Sequence, residues 1–181
     1  MIRFLKMRHA KRVCDAGCGC GIYSLKLSRF GFIVSGFDIA ENAVSLTKAL
    51  ISQNGYPSGT FRKAGVLSTG YADGCFDAVI ARDVIDHMPI RQGMEAVKEL
   101  LRIVRPGGCV LLTLDTTDSG YESEPHTTND EGDYLFHDGK WNGMVFHPYT
   151  VHDIEKLANG IAYTILSSDD HGFTVALEAK A

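Results

Sequence analysis

Apolar runs of strand length alternate with helical spacings over the first two thirds of the chain. Val13 and Cys14 close a short apolar run, so a first strand is predicted to end at Asp15. Three glycines at alternate positions (17, 19 and 21) then read as a tight turn opening a helix over residues 23–29. Residues 33–37 are apolar and β-prone, which ends a second strand at Asp38. Ala43, Leu46 and Leu50 recur at helical spacing, and Asn54-Gly55 stops that helix. Residues 60–63 form a short third strand, and Ala72-Asp73-Gly74 is a turn before a strong fourth strand at 76–80. Met94, Val97, Leu101 and Val104 mark one face of the next helix, which Pro106-Gly107 stops before a fifth strand at 110–114. Strands alternating with helices predict a mostly parallel sheet covered on both faces.

The last third reads differently. Thr150-x-x-Asp153 is a capping-box signal for a short helix ending near Ala158. Residues 161–166 and 173–177 are strand-like, and the connection between them is short. Parallel strands need a long crossover, so this pair is antiparallel. Residues 115–149 are too long for an ordinary connection, and such segments are often functional. This stretch carries eight acidic residues, one lysine and six aromatics: Tyr121, Tyr134, Phe136, Trp141, Phe146 and Tyr149. Asp138-Gly139 is a hairpin-turn signal between residues 134–137 and 140–146. The insert is therefore expected to be a hairpin that leaves the sheet after strand five and folds over the site as a lid.

At 181 residues the chain makes a single domain, 1–181, with room for a real core. Its net charge of −4 gives no sign of a polyanionic partner. Arg3, Lys6, Arg8 and Lys11, followed by Arg12, make residues 1–11 a basic lead-in, expected to be solvated. The five cysteines contain no C-x-x-C pair, and their odd number fits reduced thiols in a cytoplasmic protein. No apolar run approaches the roughly 20 residues that span a bilayer, so no membrane partner is expected.

The chemistry concentrates in Val13-Cys14-Asp15-Ala16-Gly17-Cys18-Gly19-Cys20-Gly21. The spacing is G-x-G-x-G, not the G-x-G-x-x-G of dinucleotide sites, since position 22 is Ile. The buried carboxylate before the glycines would suit a nearby cation or the loop's own N–H groups. This segment resembles the first motif of the class I S-adenosylmethionine-dependent methyltransferases. Phe37-Asp38, the strand at 76–80 and Arg105-Pro106-Gly107-Gly108 match further motifs in the family's order. The resemblance is close over residues 12–113 and looser beyond, and lies toward small-molecule methyltransferases of the UbiE/UbiG type. A Rossmann-like domain for another nucleotide is the alternative that the glycine loop alone would allow.

The resemblance implies an α/β fold: a Rossmann-like, doubly wound, seven-stranded, mostly parallel sheet with an antiparallel last strand. It implies S-adenosyl-L-methionine as cofactor and S-adenosyl-L-homocysteine as product. Ligands of such sheets bind at the carboxyl ends of the strands where the strand order reverses. There the resemblance assigns Asp38 to the ribose hydroxyls and Ile39 to the adenine face. Asp15 would stand near the methionine ammonium, with Ala16, Gly17, Cys18, Gly19 and Tyr23 along the same end. Ala81, Arg82 and Val84 complete the cofactor site after strand four. Many relatives carry Gly-Asp after strand three, where this chain has Gly65-Val66-Leu67. Adenine recognition would then rest on backbone groups and on packing by Val66 and Leu67. Relatives also carry a few dozen residues before the first strand; here another segment covers the substrate, or the chain is a truncated form.

After strand four, Asp83-Val84-Ile85-Asp86-His87 resembles the E-x-x-E-H motif of metal-dependent O-methyltransferases of quinone biosynthesis and of small-RNA 2′-O-methyltransferases. Asp83, Asp86 and His87 are therefore the candidates for a Mg²⁺ or Mn²⁺ ion. Asp is one methylene shorter than Glu, and the reading preferred is metal-free, with His87 and Asp83 catalytic and His87 as base or acceptor-positioning group. His147 and His137 of the insert are further candidate bases. The acceptor expected is a neutral or cationic small molecule with an oxygen or nitrogen nucleophile. RNA or protein methylation is a second reading; RNA binding should show as a basic face, which only the first twelve residues offer. A non-catalytic cofactor-binding or regulatory relative is a third. The acceptor itself and the oligomeric state are not written in the sequence.

Overall fold

The computed structural model describes residues 1–116 and 120–180; positions 117–119 of the insert lie outside the described residues. A parallel strand is buried on both faces and so reads as an almost unbroken apolar run. That is the pattern of β1 (Arg12–Ala16), whose residues after Arg12 are all buried, and of β4 (Phe76–Ala81). With β2 (Ile33–Asp38), β3 (Ser58–Lys63) and β5 (Val104–Asp115) they form the parallel part of a seven-stranded sheet. The remaining strands, β9 (Tyr163–Asp169) and β10 (Gly172–Glu178), give the order β3-β2-β1-β4-β5-β10-β9. Strand β10 runs antiparallel to both its neighbours, as the short turn before it requires. The strand order reverses between β1 and β4, which opens a crevice at their carboxyl ends.

Alternate residues feed two cores. On one face α4 (Ile90–Arg102) and α5 (Val151–Ala158) close over Val79, Leu112 and Leu114. On the other, α1 (Ile2–Met7), α2 (Ile22–Arg29) and α3 (Glu41–Gln53) bury Ile80 and Leu111. Each such side chain, fully buried, contributes about 1.5–3 kcal/mol by leaving water.

Four expectations need correction. Helix α3 buries Val44, Thr47 and Ile51, one position on from the predicted face, and leaves Leu46 57% exposed. Thr47 is recruited because its hydroxyl donates to the carbonyl of Gly19 at 2.9 Å. Helix α4 turns Ile90, Gly93, Ala96, Val97 and Leu100 inward, so only Val97 of the predicted stripe is fully covered within the helix. The basic lead-in contains α1, which buries Leu5 and places Arg8 against Glu178 at the end of β10. The insert is a three-stranded sheet, β6 (His126–Thr128), β7 (Tyr134–Phe136) and β8 (Val145–Phe146), not a two-stranded hairpin. Asp138 does not make the tight hairpin turn, because its carboxylate accepts from the amide of Gly139 and starts a 3₁₀ turn over Gly139–Trp141.

Candidate active site

The glycine loop follows β1 with Gly17, Gly19 and Gly21 all at positive φ (70°, 51° and 85°). A Cβ on Gly17 would stand 2.5 Å from Val84 Cγ2, and one on Gly21 would stand 2.9 Å from the Thr47 backbone. The loop is thus pressed between the segment after β4 and α3, and glycine is needed for both angle and space. Its amides are engaged within the protein. Gly17 and Cys18 donate to the Phe37 carbonyl at 2.9 and 3.0 Å, and Gly19 donates to Asp38 Oδ2 at 2.9 Å. It is Asp38, not Asp15, that holds a loop amide.

Asp38 ends β2, and its other oxygen accepts from the Ala40 amide at 2.9 Å. One amide on each oxygen orients the carboxylate and leaves each oxygen able to accept again. Asp15 is 2% exposed and accepts from the Ser24 hydroxyl at 2.5 Å. Burial pushes its carboxyl up to about 6, against the pull of the Ser24 bond and of Arg82. Its side chain ties β1 to α2 beneath the cleft, and Ala16 is equally buried.

The cleft itself has a volume of about 300 Å³. Gly17, Asp38, Ile39 and Val66 line one side and Asp83, Val84 and His87 the other. Phe37 and Met88 also line it, and neither was anticipated. Phe37 could have been found as the strand residue before Asp38; Met88 carries no signal beyond its place after His87. Leu67 is 47% exposed and does not reach the lining. Tyr23 and Arg82 lie instead in an adjoining hollow with Met1, Thr113 and Thr174, the Arg82 guanidinium 4.5 Å from the Tyr23 ring centroid. Cys18 is 6% exposed and Ala81 is fully buried, and neither reaches the cleft lining. A larger hollow, about 630 Å³, opens at the far end of the sheet by Gly74, Pro106 and Glu178, away from the ends of β1 and β2.

After β4, Asp83 adopts φ 54°, a left-handed angle uncommon outside glycine. Thr113 holds it there: its hydroxyl accepts from the Asp83 amide at 2.9 Å and donates to Asp83 Oδ1 at 2.8 Å. The chain then makes a 3₁₀ turn over Ile85–His87. His87 packs edge-on to Tyr121 at 5.9 Å and tilted against Phe146 at 6.2 Å, both from the insert. Burial lowers its pKa, although Asp115 and Asp83 pull upward, so the imidazole is neutral at pH 7. Asp86 is fully buried, and among the described residues neither carboxylate oxygen has a hydrogen-bond partner. Burial, then the charges of Asp115 and Asp83, push its carboxyl up to about 7.

Among the described residues no three His, Cys, Asp or Glu side chains converge as metal ligands. Asp83 turns to Thr113 and Asp86, within the 3₁₀ turn, is fully buried, so among the described residues this D-x-x-D-H segment does not bring three ligands to one point for a divalent ion. His147 also departs from its candidate role: it is 2% exposed, with Nδ1 2.8 Å from Asp133 Oδ1. His137 is exposed, with Nε2 2.7 Å from the Thr127 hydroxyl. Asp83 also walls a second cavity, about 180 Å³, with Asp115, Asp169 and His171. No helix is long and apolar enough to cross a membrane among the described residues.

Comparison with known proteins agrees with this geometry. A ubiquinone biosynthesis O-methyltransferase of Dechloromonas aromatica is 32% identical over 113 residues, covering 61% of this chain and 47% of that protein. The chain spans less than half the length of this and similar curated relatives. Protein PH0226 of Pyrococcus horikoshii superposes with a TM-score of 0.78 at 19% identity, over 98% of this chain and 86% of that one. Magnesium protoporphyrin IX methyltransferase of Synechocystis, solved with bound S-adenosylmethionine, superposes at 0.67 and 19% identity, over 99% and 76%. These two show the shared fold. The methyltransferase-domain family model matches residues 14–112, more than half of the chain and the whole span from the glycine loop to β5. With its motifs, strand order and cleft in place, the chain belongs to the class I S-adenosylmethionine-dependent methyltransferases.

Proposed function

We propose that this protein transfers a methyl group from S-adenosylmethionine to a small-molecule acceptor. The observation that carries the reading is that one cleft brings Gly17, Asp38, Ile39 and Val66 together with His87 and Asp83. The residues present fit the cofactor. Gly17 has no room for a side chain, Asp38 is pre-oriented with acceptor capacity to spare, and Ile39 offers a 75% exposed apolar surface. Asp38 would take the ribose hydroxyls, and Ile39 with Val66 would pack on the base. When bound, the cofactor supplies an electrophilic methyl group on a sulfonium.

The protein's part is orientation, water exclusion and proton removal. Holding the acceptor in line can supply roughly 7–11 kcal/mol of the barrier. His87, neutral at pH 7 and beside the cleft, can take the acceptor's proton, a contribution of about 10²–10⁴-fold. Tyr121 and Phe146 of the insert stand over that imidazole, which supports the insert as the lid on the acceptor side. Asp83, Asp115 and Asp169 line the neighbouring cavity, and this favours a neutral or cationic acceptor over an anionic one.

Thermal shift with S-adenosylmethionine, S-adenosylhomocysteine and NAD tests the reading. A ligand at about 100 times its Kd adds about 2.7 kcal/mol, which raises the midpoint by several degrees. The first two should do so and NAD should not; a response to NAD alone would overturn the assignment. Formation of S-adenosylhomocysteine is then followed with amine and phenol acceptors. His87→Ala should leave cofactor affinity unchanged and slow turnover by at least about tenfold; undiminished turnover would remove His87 from the chemistry.

A further inference from the structure

His87 faces the cleft, yet its buried Nδ1 has no hydrogen-bond partner among the described residues. The ring is flanked by aromatic faces and edges, which limit its tilt but do not fix its position along the chain. Its place must come from the backbone on either side, and both sides are tied to the same buried pair. On the near side, the His147 amide donates to the carbonyl of Asp86 at 2.8 Å. On the far side, Asp133 Oδ1 accepts from the amide of Ile90, in the first turn of α4, at 3.2 Å. The two anchors are joined, because His147 Nδ1 lies 2.8 Å from Asp133 Oδ1. Asp133 is wholly buried and takes a further bond from Asn129 Nδ2 at 2.7 Å, so its carboxylate acts only as acceptor. That assigns the proton of the pair to His147 Nδ1. Three donors converge on this one carboxylate, whereas the other ring nitrogen, His147 Nε2, is buried without a hydrogen-bond partner among the described residues and lies 3.7 Å from Asp153 Oδ2.

We propose that the buried Asp133–His147 pair is the positioning device for His87: it grips the chain one residue before His87, at Asp86, and three residues after it, at Ile90, and so sets where the imidazole stands at the cleft. Both residues belong to the insert, which gives that segment a role beyond covering the site. The importance of the pair for methyl transfer rests on the function proposed above; its geometry does not.

The test is a pH titration of the His87 ring by NMR, its signal assigned by loss in His87→Gln, with S-adenosylhomocysteine binding measured alongside by calorimetry. Asp133→Asn keeps the shape and removes the charged acceptor. It should leave S-adenosylhomocysteine affinity within about threefold of wild type. It should also raise the His87 midpoint by at least about half a pH unit, as the released ring gains water. His147→Leu should do the same, whereas His147→Asn, which can return a donor near the Nδ1 position, should restore the wild-type midpoint. An unchanged midpoint in folded Asp133→Asn and His147→Leu would overturn the proposal. Should either variant not fold, hydrogen exchange on the wild type decides. The amides of Ile90 and His147 should exchange as slowly as those of β4, and rates typical of exposed loops would overturn it. Wild-type protein that binds neither S-adenosylmethionine nor S-adenosylhomocysteine would remove the functional reading, while titration and exchange still judge the clamp.

Discussion

At the scale of single residues, the side chains that meet the cleft divide by how locally their role is written. Asp38 and Gly17 were legible as cleft residues because each sits in a short motif that the family resemblance picks out. Asp38→Ala removes the carboxylate that orients the loop and would receive the ribose, and should weaken S-adenosylmethionine binding at least about tenfold, or about 1.4 kcal/mol. Unchanged calorimetric affinity would break that assignment. Gly17→Ala puts a methyl group 2.5 Å from Val84 Cγ2 at φ 70°, so it should lower both stability and cofactor affinity. The left-handed angle alone costs roughly 1–2 kcal/mol. Asp15 was legible as a buried acid but not as a partner of Ser24, since that bond depends on how α2 leaves the loop. Asp133 and His147 were the least legible. Fourteen positions apart in a segment without periodicity, they acquire meaning only when the fold brings them together.

Elements were read well where the hydrophobic period is strong and poorly where something else competes. β1, β2 and β4 follow from apolar runs. The predicted face of α3 was one position off because a polar residue, Thr47, takes a core place in exchange for a bond to Gly19. No hydropathy pattern can show that exchange. The third strand of the insert, β6, is three residues of ordinary polarity, and pairing with β7 alone makes it a strand. The cap of α5 was plain in advance: Asp153 Oδ2 accepts from the Thr150 amide at 3.1 Å, and the Thr150 hydroxyl accepts from the Asp153 amide at 3.3 Å. Thr150→Ala should therefore cost about 1 kcal/mol, a fall of a few degrees in Tm. A melt indistinguishable from wild type would show that α5 is held by packing alone.

For the molecule as a whole, the buried acids tie stability to pH. The carboxyl of Asp86 is pushed up to about 7 and that of Asp15 to about 6, both chiefly by burial. Both lie above their unfolded values of about 4. Between about pH 4 and 7 the folded chain holds more protons than the unfolded one, so stability falls as pH rises through that window. Their contribution is complete below about pH 4 and gone above about pH 7. Asp86→Asn, which cannot ionise, should gain on wild type in Tm as pH rises from 5 to 8, by several degrees; a difference that stays flat with pH would contradict this. One further consequence follows from where an aromatic side chain happens to sit. Trp141 is the chain's one tryptophan, and it lies in the insert 5.3 Å from Tyr121, outside both core clusters of the sheet. The protein thus carries its one tryptophan on the insert and none on the sheet or its helices. Melting followed by tryptophan emission and by far-ultraviolet dichroism would report the two parts separately. Coincident curves would make insert and sheet one cooperative unit, and an earlier fluorescence transition would mark the insert as a foldon of its own.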